Sequence, residues 1–145
     1  MKETQTLVAE STVAIDTTPA QVWKAITTPE IIHRYLLGTT VKGEWREGGW
    51  LTYEGEYEGK KYKDKGEILK MEPEKVFQSS FLSGTMEDKP ENYHLVTYNI
   101  WEKDGQTMVT LSQDNIHSEK ELEHASSTWQ KVLEKLKEVL EEEEV

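Results

Sequence analysis

The chain has 145 residues, of which 35% are hydrophobic and none is cysteine. That is enough material for one core and too little for two, and it excludes disulfide scaffolds, zinc–thiolate sites and thiol nucleophiles together. Seventeen basic residues against 28 acidic ones leave a formal net charge of −11, which repels a phosphate backbone and removes nucleic acid from the expected partners.

No window approaches the roughly 18 apolar residues that a membrane span needs. The first residues, Met1-Lys2-Glu3-Thr4-Gln5-Thr6, precede no apolar run with a small-residue cleavage site. The expectation is one domain over residues 1–145, located in the cytoplasm.

In chain order, residues 7–15 are rich in β-branched side chains, with Leu7, Ala9, Val13 and Ile15 on one side at period two, which predicts a first strand. Thr18-Pro19-Ala20-Gln21 then places Thr at an N-cap, Pro at the first helical position and Gln at the third, so a short helix is expected to about Thr27. Thr28-Pro29-Glu30 starts a second, which stops at Gly38. From 41 to 115 turn signals recur at Arg46-Glu47-Gly48-Gly49, Glu58-Gly59-Lys60, Glu72-Pro73-Glu74, 86–92 and Lys103-Asp104-Gly105. About six extended segments lie between them. Asp104-Gly105 is the clearest hairpin turn, joining 94–102 to 106–114. An antiparallel meander is expected.

Ser118-Glu119-Lys120-Glu121 forms a second capping box. Leu122, Ser126, Trp129, Leu133, Leu136 and Leu140 follow at steps of four and three, one face of a helix five to six turns long that must cover the sheet. Residues 118–145 hold nine Glu and four Lys. The acidic run from about 141 reads as a frayed, solvated helix end, with a docking tail as the alternative.

Strand, two short helices, six strands and a long helix resemble the SRPBCC helix-grip superfamily, which includes START lipid-transfer domains, polyketide cyclases and the birch-pollen allergen. Three stretches narrow the likeness. Thr18-Pro19-Ala20-Gln21-Val22-Trp23-Lys24-Ala25-Ile26-Thr27-Thr28-Pro29-Glu30, then Gly66-Glu67-Ile68-Leu69-Lys70-Met71-Glu72-Pro73-Glu74-Lys75-Val76, and the helix around Trp129 resemble the activator-of-heat-shock-protein-ATPase homologue-like branch. The resemblance implies an α+β helix-grip fold: a seven-stranded curved antiparallel sheet wrapped around the long carboxy-terminal helix, with an internal cavity. It supplies no reaction, no cofactor and no matching chaperone-binding residues.

The residues themselves show no catalytic motif. There is no Gly-x-Ser-x-Gly elbow, and Gly43-Glu44-Trp45-Arg46-Glu47-Gly48-Gly49 lies between strands, without the helix start that cradles phosphate. His33, His94, His117 and His124 are too scattered for a metal motif, so no metal site is expected. His117 and His124 are assigned to the surface or a cavity rim. His33 is placed near the cavity mouth in a hydrogen-bonding role. Glu54, Glu56 and Glu58 alternate with apolar residues and read as solvated, which argues against a glycosidase carboxylate pair.

Aromatic residues carry the binding expectation, because ligand pockets are mostly apolar with a few fixed polar groups. The candidate cavity lining is His33, Tyr35, Tyr53, Tyr57, Phe77, Phe81, Tyr98 and Trp129, with the strand positions assigned by parity. A one-residue slip would reverse each of those. Trp23 is read as packing its helix on the sheet. The leading expectation is a module enclosing a small hydrophobic or amphipathic molecule. The alternatives are a cyclase- or hydrolase-like enzyme using polar groups such as His33 or Asp64, and an interaction module acting on a chaperone ATPase. Neither ligand identity nor oligomeric state is legible.

Overall fold

A computed structural model describes residues 6–36 and 38–142, and at Tyr57 the backbone only. The first strand, β1 (Leu7–Ile15), turns Ala9, Ser11, Val13 and Ile15 inward, as the period-two pattern requires. Two short helices follow. In α1 (Pro19–Ile26) the Thr18 hydroxyl accepts the Gln21 N–H at 3.2 Å. In α2 (Pro29–Tyr35) Thr28 makes no side-chain cap, so the second Thr-Pro start relies on its proline alone. Gly38, at φ +83°, ends that segment.

Six further strands form the meander: β2 (Thr40–Gly43), β3 (Trp50–Tyr57), β4 (Lys60–Glu72), β5 (Val76–Phe81), β6 (His94–Lys103) and β7 (Gln106–Ile116). All neighbours are antiparallel, in the order β1-β7-β6-β5-β4-β3-β2. At Asp104-Gly105 both central residues have positive φ, 52° and 80°, the condition for a two-residue turn whose twist suits the flanking strands.

The sheet curls where β4 changes partners. Its first half pairs with β3 and its second with β5, and the register slips between Ile68 and Lys70. At the bend, a side chain on Gly66 would place its Cβ 1.9 Å from the Ser80 carbonyl oxygen, so the strands approach there only because no Cβ is present.

The long helix α3 (Glu119–Glu142) begins at the expected Ser118 cap, but the return bond of the box goes to the residue before it. Glu121 N donates to Ser118 Oγ at 3.1 Å, and the Glu121 carboxylate accepts the His117 N–H at 3.2 Å. The covering stripe is uneven. Val132, Leu133, Leu136, Val139 and Leu140 are buried, whereas Leu122, Ser126 and Trp129 are only partly so. The second half of α3 therefore anchors the helix across β1 and the paired short helices. At the crossing, Ser11 Oγ donates to the Ser126 carbonyl at 3.1 Å.

The expectation of fraying from about 141 differs from what Glu141 does. Its carboxylate accepts from Lys137 Nζ at 2.8 Å and from Asp16 N at 2.9 Å, tying the last described turn to the end of β1. Lys137 also donates to the Ala14 carbonyl at 2.8 Å. Those partners, the Lys137 ammonium first, hold the Glu141 carboxyl below its ordinary range. Residues 143–145 lie outside the described residues. No helix among the described residues is long and apolar enough to cross a membrane.

Candidate functional site

Because α3 is seated by its second half, its first turns roof a cleft of about 750 Å³. Lys120, His124, Ala125 and Trp129 form the roof. Ser83, Met86 and Glu91 of the β5–β6 loop form one wall, and His94, Gln113 and Ile116 rise from the sheet.

Each wall is held by identifiable bonds. Trp129 Nε1 donates to Gln113 Oε1 at 2.8 Å, fixing the indole over the sheet. His94 Nδ1 lies 2.8 Å from the Asp114 carbonyl oxygen. Asn115, at φ +58°, donates from Nδ2 to the carbonyls of Glu91 and Tyr93 at 2.8 and 3.0 Å, stapling the β5–β6 loop to the end of β7. The other side of that loop is tied to β4, where Gly84 N donates to Asp64 Oδ1 at 2.9 Å and Lys65 pairs with Asp88. Inward from the cleft the wall is aromatic. The His94 ring lies 6.5 Å from Phe81, which lies 5.7 Å from Tyr53, and Phe77 is 6.3 Å from Tyr98.

Of the sequence-selected residues, Trp129 borders the cleft, and Phe81 and Tyr53 are half-buried behind His94. Phe77, Tyr98 and Tyr35 belong to the buried core. The ladder registers put Tyr53, Phe77, Phe81 and Tyr98 on the concave side. The Tyr57 side chain lies outside the described residues. His33 departs from its expected place: it lies on the exposed side of α2, because Ile32 and Tyr35 are the residues that this helix turns inward. Trp23 packs edge-on against Phe77 at 6.2 Å, as its helix-to-sheet role requires. His117 and His124 are exposed and line the cleft rim.

Residues not singled out from sequence, chiefly Gln113, Asn115, Met86 and Ala125, complete the site. Gln113 within a strand and the Asp114-Asn115 pair at its end were the available signals. Among the described residues no group of three or more His, Asp or Glu side chains is placed to hold a metal ion.

Asp64 is the titratable group most affected near this site. Burial raises its carboxyl above the ordinary value, and the Gly84 N–H offsets part of that. In the folded state it therefore binds its proton more tightly than in the unfolded chain. Stability is lost as pH rises from the ordinary carboxylate value through the raised one. Asp64→Asn keeps an oxygen for Gly84 N–H and removes the charge. The variant should be at least as stable as the parent at pH 7, with a gain that shrinks at pH 4, in paired urea denaturation curves. A loss at pH 7 would contradict this account. Asp88 and Glu141, both held low by lysines, act in the opposite direction in both proteins and cancel from the difference.

A curved antiparallel sheet gripped by a long carboxy-terminal helix defines the SRPBCC helix-grip class, a ligand-binding type of domain. Within it the chain belongs to the family described as "Activator of Hsp90 ATPase homolog 1-like protein", whose model matches residues 16–141. It is similar to ChR145 from Cytophaga hutchinsonii, a solution structure with 39% identity, 98% of each chain covered and a TM-score of 0.83. The fold is shared with the Aha1 dimer from Colwellia psychrerythraea (18% identity, 92% of this chain and 96% of that one, TM-score 0.72). It is shared too with Ara h 8.0201 (11% identity, 94% and 98%, TM-score 0.75). A search of curated protein sequences finds no match.

Proposed function

We propose that the protein binds one small amphipathic molecule in the cleft beneath the first turns of α3. The observation that carries this reading is the division of α3 into an anchored half and a half that roofs open space. The cleft volume of about 750 Å³ suits a small organic ligand, since such sites span roughly 300–1,000 Å³. Its chemistry suits an amphipathic one. Trp129, Met86, Ile116 and Ala125 supply apolar surface, while His94, Gln113 and His124 supply hydrogen-bonding groups.

Native mass spectrometry of the protein titrated with a panel of fatty acids, lysolipids and fused-ring aromatics tests the reading. A one-to-one adduct that displaces on competition is expected. Absence of any adduct across the panel sinks it. Action on a chaperone ATPase has only the family's description behind it. Catalysis has less, because His33, its first candidate residue, lies on the exposed side of α2, away from the cleft.

A further inference from the structure

The outer side of the sheet carries a second hollow, of about 330 Å³, where β4 leaves β3 for β5. Between the Lys65–Leu82 and Ile68–Ser79 pairings the β4–β5 ladder stands open, and Glu67 N donates to Ser80 Oγ at 3.0 Å instead of to a backbone acceptor. Trp50 and Glu67 are direct cross-strand partners and both point outward, since their neighbours Leu51 and Ile68 are the buried ones. Partners of this kind hold their Cβ atoms about 5 Å apart, which sets the indole beside the carboxylate. Lys65 and Tyr93 also line the hollow, which shares no residue with the cleft under α3.

Two features of this hollow have no role in packing. Trp50 is 49% exposed, and among the described residues no other ring packs on it. Of the exposed large apolar side chains, Met86 lines the cleft and Trp50 lines this hollow, whereas Val8, Leu69 and Trp101 line neither. The charges do not balance either. Lys65 pairs with Asp88, whose other carboxylate oxygen accepts the Tyr93 hydroxyl at 2.7 Å, so Lys65 and Asp88 cancel. Glu67 has no ion pair among the described residues, which leaves one negative charge beside an open aromatic face.

We infer that Trp50 and Glu67 form a binding site for a small organic cation of the alkylammonium class. The face of an indole is electronegative and attracts a cation within about 6 Å of its centre. The Glu67 carboxylate supplies the counter-charge, and the chain's net charge of −11 draws cations and opposes anions. A metal ion would meet a single free carboxylate there, too few ligands to hold it. The volume lies at the low end for ligand sites and suits a molecule the size of a headgroup.

Choline and 3,3-dimethylbutan-1-ol, its uncharged carbon isostere, test the site by nitrogen-15 NMR titration. The indole N–H signals are read, and Trp50→Leu, at a half-exposed position, assigns the one that matters. The Trp50 signal should shift saturably with choline, at an affinity about tenfold above that for the alcohol, as a cation–π contact and an exposed ion pair together predict. Trp101, 42% exposed and outside the hollow, should not respond. Glu67→Gln keeps the shape and should reduce choline's advantage roughly threefold to fivefold, as should about 0.5 M salt. Equal affinities for the two probes overturn the cation assignment. Equal shifts at Trp50 and Trp101 overturn the site, since they show only diffuse attraction to an acidic chain, and so does the absence of any shift. Phosphatidylcholine vesicles separate the two sources of such a group. Broadening of the Trp50 signal on their addition assigns the cation to a lipid headgroup, and an unchanged spectrum assigns it to a free molecule.

Discussion

Leu133→Ala should cost about 3 kcal/mol of folding stability, within the 2–5 kcal/mol range of large-to-small changes at fully buried aliphatic positions. Leu133 has no solvent exposure and lies in the half of α3 that closes the core over β1. The loss combines the transfer free energy of the deleted methyl groups with a cavity that close-packed neighbours fill only partly. Leu122→Ala should cost less than about 1 kcal/mol, because Leu122 is only partly buried and has no sealed core beneath it. Urea unfolding of both variants at a common denaturant slope checks the contrast. Equal losses would show that α3 is seated along its whole length, and the cleft would lose its structural origin.

That asymmetry links packing to function. A helix held at one end over five apolar side chains can tolerate an unfilled space under the other. The capping box then becomes necessary, since the first turn cannot rely on burial: Ser118 and Glu121 satisfy backbone groups that tertiary contacts leave open. Asn115 and Asp64 do for the β5–β6 loop what the cap does for the helix, fixing a cleft wall by backbone bonds where apolar contact is sparse.

Much of the architecture is written locally. Thr18-Pro19, Ser118-Glu121 and Asp104-Gly105 each specify a helix start or a turn through bonds made within a few residues, so their places follow from the sequence. Concave-side parity for Tyr53, Phe77, Phe81 and Tyr98 follows from period two once a strand is assigned. The uneven seating of α3 was not legible. Its 4-3 stripe runs unbroken from Leu122 to Leu140 and says nothing about which half has a core beneath it, and it omits Val132 and Val139, which broaden the buried face. His33 was misplaced because a seven-residue helix gives too little periodicity to set its phase. The cleft is harder still, since Met86, Gln113 and Ala125 meet only through the loop staple and the helix crossing.

Ala125→Trp should abolish binding of 2-ethylnaphthalene, with affinity falling at least about a hundredfold, or some 2.7 kcal/mol. Ala125 faces the cleft one turn before Trp129 and is half-buried, so an indole there projects into the space a ligand would use. The substitution is on the less buried half of α3, at a residue that is not a member of the buried cluster. Folding stability should therefore change by less than about 1 kcal/mol. Ala125→Ser is the control, expected to bind within about threefold of the parent because it adds one small polar atom at a rim that is already partly polar. Calorimetric titration and urea unfolding of the three proteins separate occlusion from unfolding. Undiminished binding by the Trp variant would place the ligand elsewhere and remove the role assigned to the roof of α3. Lost binding with intact stability would tie function to the space that one-ended anchoring leaves open.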